Sequence, residues 1–209
     1  MVSADFLSSA GITPQKLVVN PISHAEIISR AERVSMEVRE RKIFSPLNEL
    51  MSLTPVIASE DISKLSLASE SSSAERCKDL NVDALIKAHR SDEGLEFEIF
   101  FDRPCGEAIL NRKISYLIAN CILHVDHSAL TSDAAYFDCS PNTLDRGLRH
   151  QAKLFSLGFR YPSPLVNEYV NSNIMTMSQF ASLIGGSSGE LFEYLDPALN
   201  RDLALDIAA

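Results

Sequence analysis

No stretch of about eighteen consecutive apolar residues occurs in the 209-residue chain, which argues against a membrane-spanning helix. The opening Met1-Val2-Ser3-Ala4-Asp5 lacks the basic start and apolar centre of an export signal, so the cytoplasm is the expected location. Four cysteines, Cys77, Cys105, Cys121 and Cys139, are scattered without a CxxC pair and are expected as reduced thiols. Positive charge is also scarce. Lysine and arginine number 19 against 28 acidic residues, giving a net charge of -9 and a pI near 5.0. That balance argues against nucleic-acid binding through bulk charge. The densest basic run, Arg39, Arg41 and Lys42, fits the solvated end of a helix. No internal repeat is present.

An apolar fraction of 45% and a charged fraction of 22% belong to an ordinary globular chain, long enough for one sizeable domain with or without an appendage. Residues 1–20 form a loosely organised lead. Ser23 as N-cap, with Glu26 as its capping-box partner, opens a helix whose stripe is Ile27, Ile28, Ala31, Val34, Ser35 and Val38. Pro46 closes it, and Leu47 to Ile57 supply a second short apolar element. From Ala58 to Asp79, serines at 69 and 71–73 stand among acidic residues. Such composition buries little, so a linker or mobile loop is expected there, with one weak helix as the alternative.

Leu95-Glu96-Phe97-Glu98-Ile99 alternates apolar and acidic residues and predicts a half-buried strand through Phe101. Leu110, Ile114, Leu117, Ile118, Cys121, Ile122 and Val125 then mark a buried helix over 109–125, with Asn120 and His124 stacked on one face. His124 borders the apolar stripe and could serve as a satisfied core histidine or as a ligand. Helices are expected over 143–159, from Pro164 to Val170, and as a pair between Met177 and Leu195 broken at Gly185-Gly186. An acidic and apolar tail follows.

This order, a strand, a helix ending in histidine, a polar loop, a helix with Ala-x-x-Phe and a following proline, then two helices about a glycine turn, resembles the ImmA/IrrE family of zinc peptidase-like proteins. The family's site helix reads Arg-x-Arg-Phe-Thr-x-Ala-His-Glu-x-x-His, and here the matching run is Lys113-Ile114-Ser115-Tyr116-Leu117-Ile118-Ala119-Asn120-Cys121-Ile122-Leu123-His124. Its second helix, Glu-x-x-Ala-x-x-Phe followed by a Pro, is similar to Arg149-His150-Gln151-Ala152-Lys153-Leu154-Phe155 and Pro162. Met177-Ser178-Gln179-Phe180-Ala181-Ser182-Leu183-Ile184-Gly185-Gly186-Ser187 looks like its small helix-turn-helix segment. The resemblance covers about residues 90–196 and leaves the first 80 unmatched.

Peptidase chemistry of this kind needs two histidines one helical turn apart, a glutamate beside the first as general base, and an acidic third ligand. Set against the family pattern, the first histidine position holds Asn120, the base position Cys121, and the acidic position of the second helix falls on Arg149 or Gln151. Only His124 remains. An amide is a poor zinc ligand, a thiol does not replace a carboxylate base in this geometry, and an arginine repels a cation. The resemblance therefore implies a catalytically silent scaffold without metal or cofactor. Its groove would be lined by Asn120, Cys121, His124, Arg149 and Gln151, and its partner would be a protein such as a repressor, a toxin or another DNA-binding protein.

A replacement zinc site from Cys121, His124, His127 and Cys139 is chemically acceptable, and would make the chain a metal-dependent hydrolase or give it structural zinc. Residues at i, i+3 and i+6 of a straight helix fan through about 240°, so His127 would have to lie beyond the helix end. Gly185-Gly186-Ser187-Ser188-Gly189 lacks the Gly-Lys-Ser/Thr ending of a phosphate loop. Ser187 to Leu195 carries Glu190 and Glu193 without lysine or arginine, contrary to a DNA-recognition helix.

The expected fold is α+β: a mostly helical, zincin-like domain with a short sheet and a C-terminal helix-turn-helix-like segment. Its divisions are an N-terminal helical region over 1–57, a serine-rich linker over 58–80, the peptidase-like domain over 81–170, and the helix-turn-helix-like segment with its tail over 171–209. The expected role is regulatory, in a bacterial prophage or mobile element, through protein binding.

Overall fold

A computed structural model describes residues 12–40, 42, 44–103 and 106–195. Expectations about the lead up to residue 11, Arg41, Cys105 and the tail from 196 lie outside these residues. The architecture is mixed α and β, with helices packed about one four-stranded sheet. No helix among the described residues is long and apolar enough to cross a membrane.

Helix α1 spans His24–Arg39 with Ser23 as the expected N-cap, Glu26 N donating to Ser23 Oγ at 3.3 Å. Its stripe of Ile27, Ala31, Val34, Ser35 and Val38 is buried. Helix α2 follows at Leu47–Met51. The 58–80 segment, expected as a linker or loop with one weak helix as the alternative, contains that helix and more: a 3₁₀ turn at Ala58–Glu60, strand β1 at Ile62–Leu67 and helix α3 at Glu70–Leu80. Two features explain the difference. Ser69 caps α3 by accepting from Ser72 N, so part of the serine cluster is capping chemistry rather than linker. Glu60, 7% exposed, accepts from Arg30 Nε at 2.7 Å and pairs with Arg33, tying the turn to α1.

Strand β2, Ala84–Ser91, turns at Asp92-Glu93 into β3, Gly94–Phe101, and the short β4 lies at Ala135–Asp138. The sheet order is β1-β3-β2-β4, with β1 parallel to β3 and the other pairs antiparallel. Gly94, at φ +132°, lets β1 approach: a Cβ there would sit 2.9 Å from Asp61 O, the carbonyl that accepts from Leu95 N. Leu95, Phe97, Ile99 and Phe101 join Ala84, Ile86 and Ala88 in the main core. On the opposite face Phe100 and Leu85 pack with Cys77 of α3. Charged Lys87, Glu96 and Glu98 occupy other outer-face positions of these two strands and are only partly exposed.

The long site helix splits. Helix α4 ends at Ala119 (Glu107–Ala119), and Asn120–His124 forms a π turn closed by Val125 N donating to Asn120 O at 3.2 Å. Helix α5, Arg146–Arg160, starts later than predicted because Asp145 caps it, accepting from Leu148 N at 2.8 Å. It packs between α4 and α1. Ser115 and Ser156 bond across one contact at 2.6 Å, and Gly158 admits Ala31 at the other. Helix α6, Ser163–Val166, leads into a π turn at Asn167–Asn171. Helices α7, Met177–Leu183, and α8, Ser188–Leu195, are the last of the described elements and meet about Gly185 and Gly186. Phe180, Leu191 and Tyr194 pack with Leu157 and Tyr161, so the pair is docked on the body of the protein.

Candidate functional site

Asn120, His124 and Gln151 come together. His124 Nδ1 lies 2.8 Å from Asn120 Oδ1, and His124 Nε2 lies 3.0 Å from Gln151 Oε1. The π turn presents the first two residues from one loop of backbone, and α5 brings the third. Burial lowers the His124 pKa from its ordinary 6.5 to about 4, against weaker upward pulls from Gln151 and Asp145, so the ring is neutral.

A neutral imidazole has one N–H to give, which decides the direction of every bond. Gln151 Nε2 is committed to Asn20 O at 2.7 Å, so Gln151 presents its oxygen and takes the His124 Nε2–H. Nδ1 is then an acceptor, and the donor it requires is the Asn120 amide nitrogen. That nitrogen has no partner if the amide is turned the other way. Asn20 Nδ2 in turn donates to Leu123 O at 2.5 Å. The result is a neutral chain, Asn120 to His124 to Gln151 to Asn20 to Leu123, linking the π turn, α5 and the N-terminal segment.

The expected groove is not open. Asn120, Cys121 and His124 have no exposed surface and Gln151 is 8% exposed, because apolar packing and the N-terminal segment close over them. Arg149 is exposed and stands apart, beside Tyr116, whose phenol burial pushes up to about 12 while Arg149 opposes the shift. Cys121 is fully buried and its thiol is pushed up by burial, contrary to a reactive thiolate.

The alternative zinc set does not converge either. Both His124 nitrogens are engaged, His127 Nε2 donates to Cys121 O at 2.7 Å, and Cys139 Sγ lies 3.6 Å from Phe137 O. Burial lowers the His127 pKa and raises that of Cys139. Among the described residues no three His, Cys, Asp or Glu side chains are grouped to hold a metal ion.

No family model, curated protein or solved structure matches the chain.

Asn20, which completes the network, went unnoticed in the sequence because nothing local marks it; its partners lie 103 and 131 positions away. A second polar cluster was equally hidden. Arg160 Nη1 donates to Glu190 Oε2 at 2.7 Å, Tyr161 OH lies 3.1 Å from the same oxygen, and Ser187 N donates to Tyr161 OH at 3.0 Å. Glu190 and Glu193 therefore face Arg160 and Lys153 of α5, and their role is to fasten α8.

Proposed function

We propose that this chain is a catalytically silent, peptidase-like protein that acts by binding another protein, in keeping with its resemblance to the ImmA/IrrE family. The observation that carries this reading is the closed amide–imidazole–amide chain at Asn120, His124 and Gln151. A hydrolytic centre needs a lone pair facing a metal or a base facing water. Here the one remaining histidine is buried, neutral and bonded at both nitrogens. The order β3, α4 with His124 just beyond it, α5 carrying Ala152 and Phe155, then α7 and α8, supports the zincin-like and helix-turn-helix-like assignments. The absence of lysine and arginine from α8, the pairing of Glu190 with buried Arg160, and the net charge of -9 favour a protein partner over nucleic acid. By the resemblance, that partner is a repressor, a toxin or another DNA-binding protein, met in the cytoplasm of a bacterium carrying a prophage or mobile element.

The test is metal content by mass spectrometry after equilibration with excess zinc and desalting, on wild type, Cys121→Ala and His124→Ala. Less than about a tenth of an equivalent in all three is expected, since one free ligand does not retain zinc. Near-stoichiometric zinc in the wild type, lost in both variants, would establish the rearranged metal site and overturn the proposal. The positive arm is a stoichiometric complex with one defined protein on co-expression from the same replicon.

A further inference from the structure

β4 is a four-residue edge strand, and an edge offers unpaired N–H and C=O groups to any extended chain. In this protein the chain's own N-terminal segment takes them. Gln15 bridges Phe137 in parallel, with Gln15 N donating to Tyr136 O at 2.6 Å and Asp138 N to Gln15 O at 3.4 Å. The segment then crosses the π turn. Val18 N donates to His124 O at 3.0 Å, Asn20 Nδ2 to Leu123 O, and Gln151 Nε2 to Asn20 O.

The character of this attachment is informative. Val18 and Val19 are 51% and 43% exposed, and only Leu17 is buried among residues 12–20. Most of the hold comes from main-chain bonds, with one apolar side chain and one amide added. That is the means by which an added strand is recognised: backbone pairing supplies affinity, and alternate side chains supply selectivity. Lifting residues 14–20 would uncover the β4 edge, the Leu123 and His124 carbonyls and the Gln151 amide as one line of donors and acceptors.

We infer that this line is a docking groove for an extended segment of a partner protein, held shut in the free chain by residues 14–20 acting as a strap. The inference rests on the protein-binding reading and supplies its mode. The fitting segment runs parallel to β4, carries an aliphatic residue at the place of Leu17 and a side-chain amide at the place of Asn20. A partner segment suits the groove better than the strap of a second copy. Only residues 21–23 separate Asn20 from α1, and α1 is anchored against α5 by Ile27, Ala31 and Val34. A strap exchanged between copies would have to pull α1 off its own core, whereas peeling away residues 14–20 leaves α1 in place.

Two measurements on the full chain test this. In native hydrogen exchange, the amides of Val18 and Asp138 should exchange together, at least about 100-fold faster than the Lys87 and Glu98 amides of the central ladder, as a local opening requires. Exchange at the rate of the central ladder would overturn the strap. In the second measurement a fluorescent peptide of residues 12–21 is titrated into wild type, Leu17→Asp and Asn20→Ala. Saturable binding to both variants, at least about tenfold weaker in wild type where the tethered strap competes, is the expected result. Bound peptide should restore slow exchange at Asp138.

No binding to Asn20→Ala or Leu17→Asp chains whose central amides still exchange slowly would overturn the groove. A wild-type dimer that the peptide dissociates would make a second copy the occupant and overturn the partner assignment. Zinc content is independent of these outcomes, so failure of the strap and failure of the silent-scaffold reading are separately visible.

Discussion

The protonation state of His124 can be tested by the pH dependence of stability. In the fold its pKa is lowered by burial to about 4, against 6.5 when solvated. Between those values the unfolded chain binds a proton at this residue that the folded chain does not. Stability must therefore fall as pH falls through the window, and the contribution is flat above it. Linkage gives a loss of about 2 kcal/mol between pH ~7.5 and pH ~5, approaching about 3 kcal/mol near pH ~4. The assay is urea unfolding of wild type and His124→Gln across that range, with the difference between the two curves as the readout. Titration of His127 and the carboxylates occurs in both proteins and largely cancels. Wild type should lose its advantage over the variant by about 2 kcal/mol on acidification to pH ~5. A difference that stays constant, or that grows in acid, would mean an imidazolium held between two amide oxygens. The neutral chain and the assignment of the Asn120 amide would then both be wrong.

Other consequences are simpler to state. Glu190→Ala strips a carboxylate from Arg160, whose side chain is 3% exposed, and should cost about 3 kcal/mol in urea unfolding; Arg160→Met with Glu190→Leu should recover much of it. A cost below about 1 kcal/mol would show that the pair is solvated. Gly185→Ala meets two obstacles, a φ of +68° and a Cβ 2.0 Å from Asn111 Nδ2, and should lower stability by about 2 kcal/mol or more in the same assay. The buried thiols of Cys121 and Cys139 should resist iodoacetamide in the native chain and react once urea unfolds it, as read by peptide mass spectrometry. Native labelling at either residue would contradict the packing around the π turn.

What was legible in the sequence depended on the range of the interaction. Ser23, the stripe from Ile27 to Val38 and the alternation from Leu95 to Ile99 are short-range signals, and α1 and β3 appear where they place them. The remaining strands were harder. β2, Ala-Leu-Ile-Lys-Ala-His-Arg-Ser, is buried for its first three residues because α3 covers the outer face at that end, so its alternation is blurred. β1 carries two serines that bond to the main chain of β3, Ser63 Oγ to Leu95 O and Ser66 Oγ to Phe97 O, and look like loop residues without that partner. At the site, the pairing of Asn120 with His124 followed from their spacing. The π turn, the arrival of Gln151 and the closing of the network by Asn20 depend on contacts between distant elements.

The network also shows why a neutral histidine suits this position. Removing zinc from a buried site of histidines and carboxylates would leave charges without compensation in a dry interior, a cost of several kcal/mol per ion. The set present here carries no charge: two amides flank a neutral imidazole, and each ring nitrogen has one complementary partner. His124 then works as a bridge between α5 and the turn after α4, while its carbonyl and that of Leu123 hold the N-terminal segment. His124 is thus the joint between the core and its strap. Weakening that joint should loosen residues 14–20 before it loosens the sheet, because the sheet's central ladder, β2 with β3, makes no bond to it.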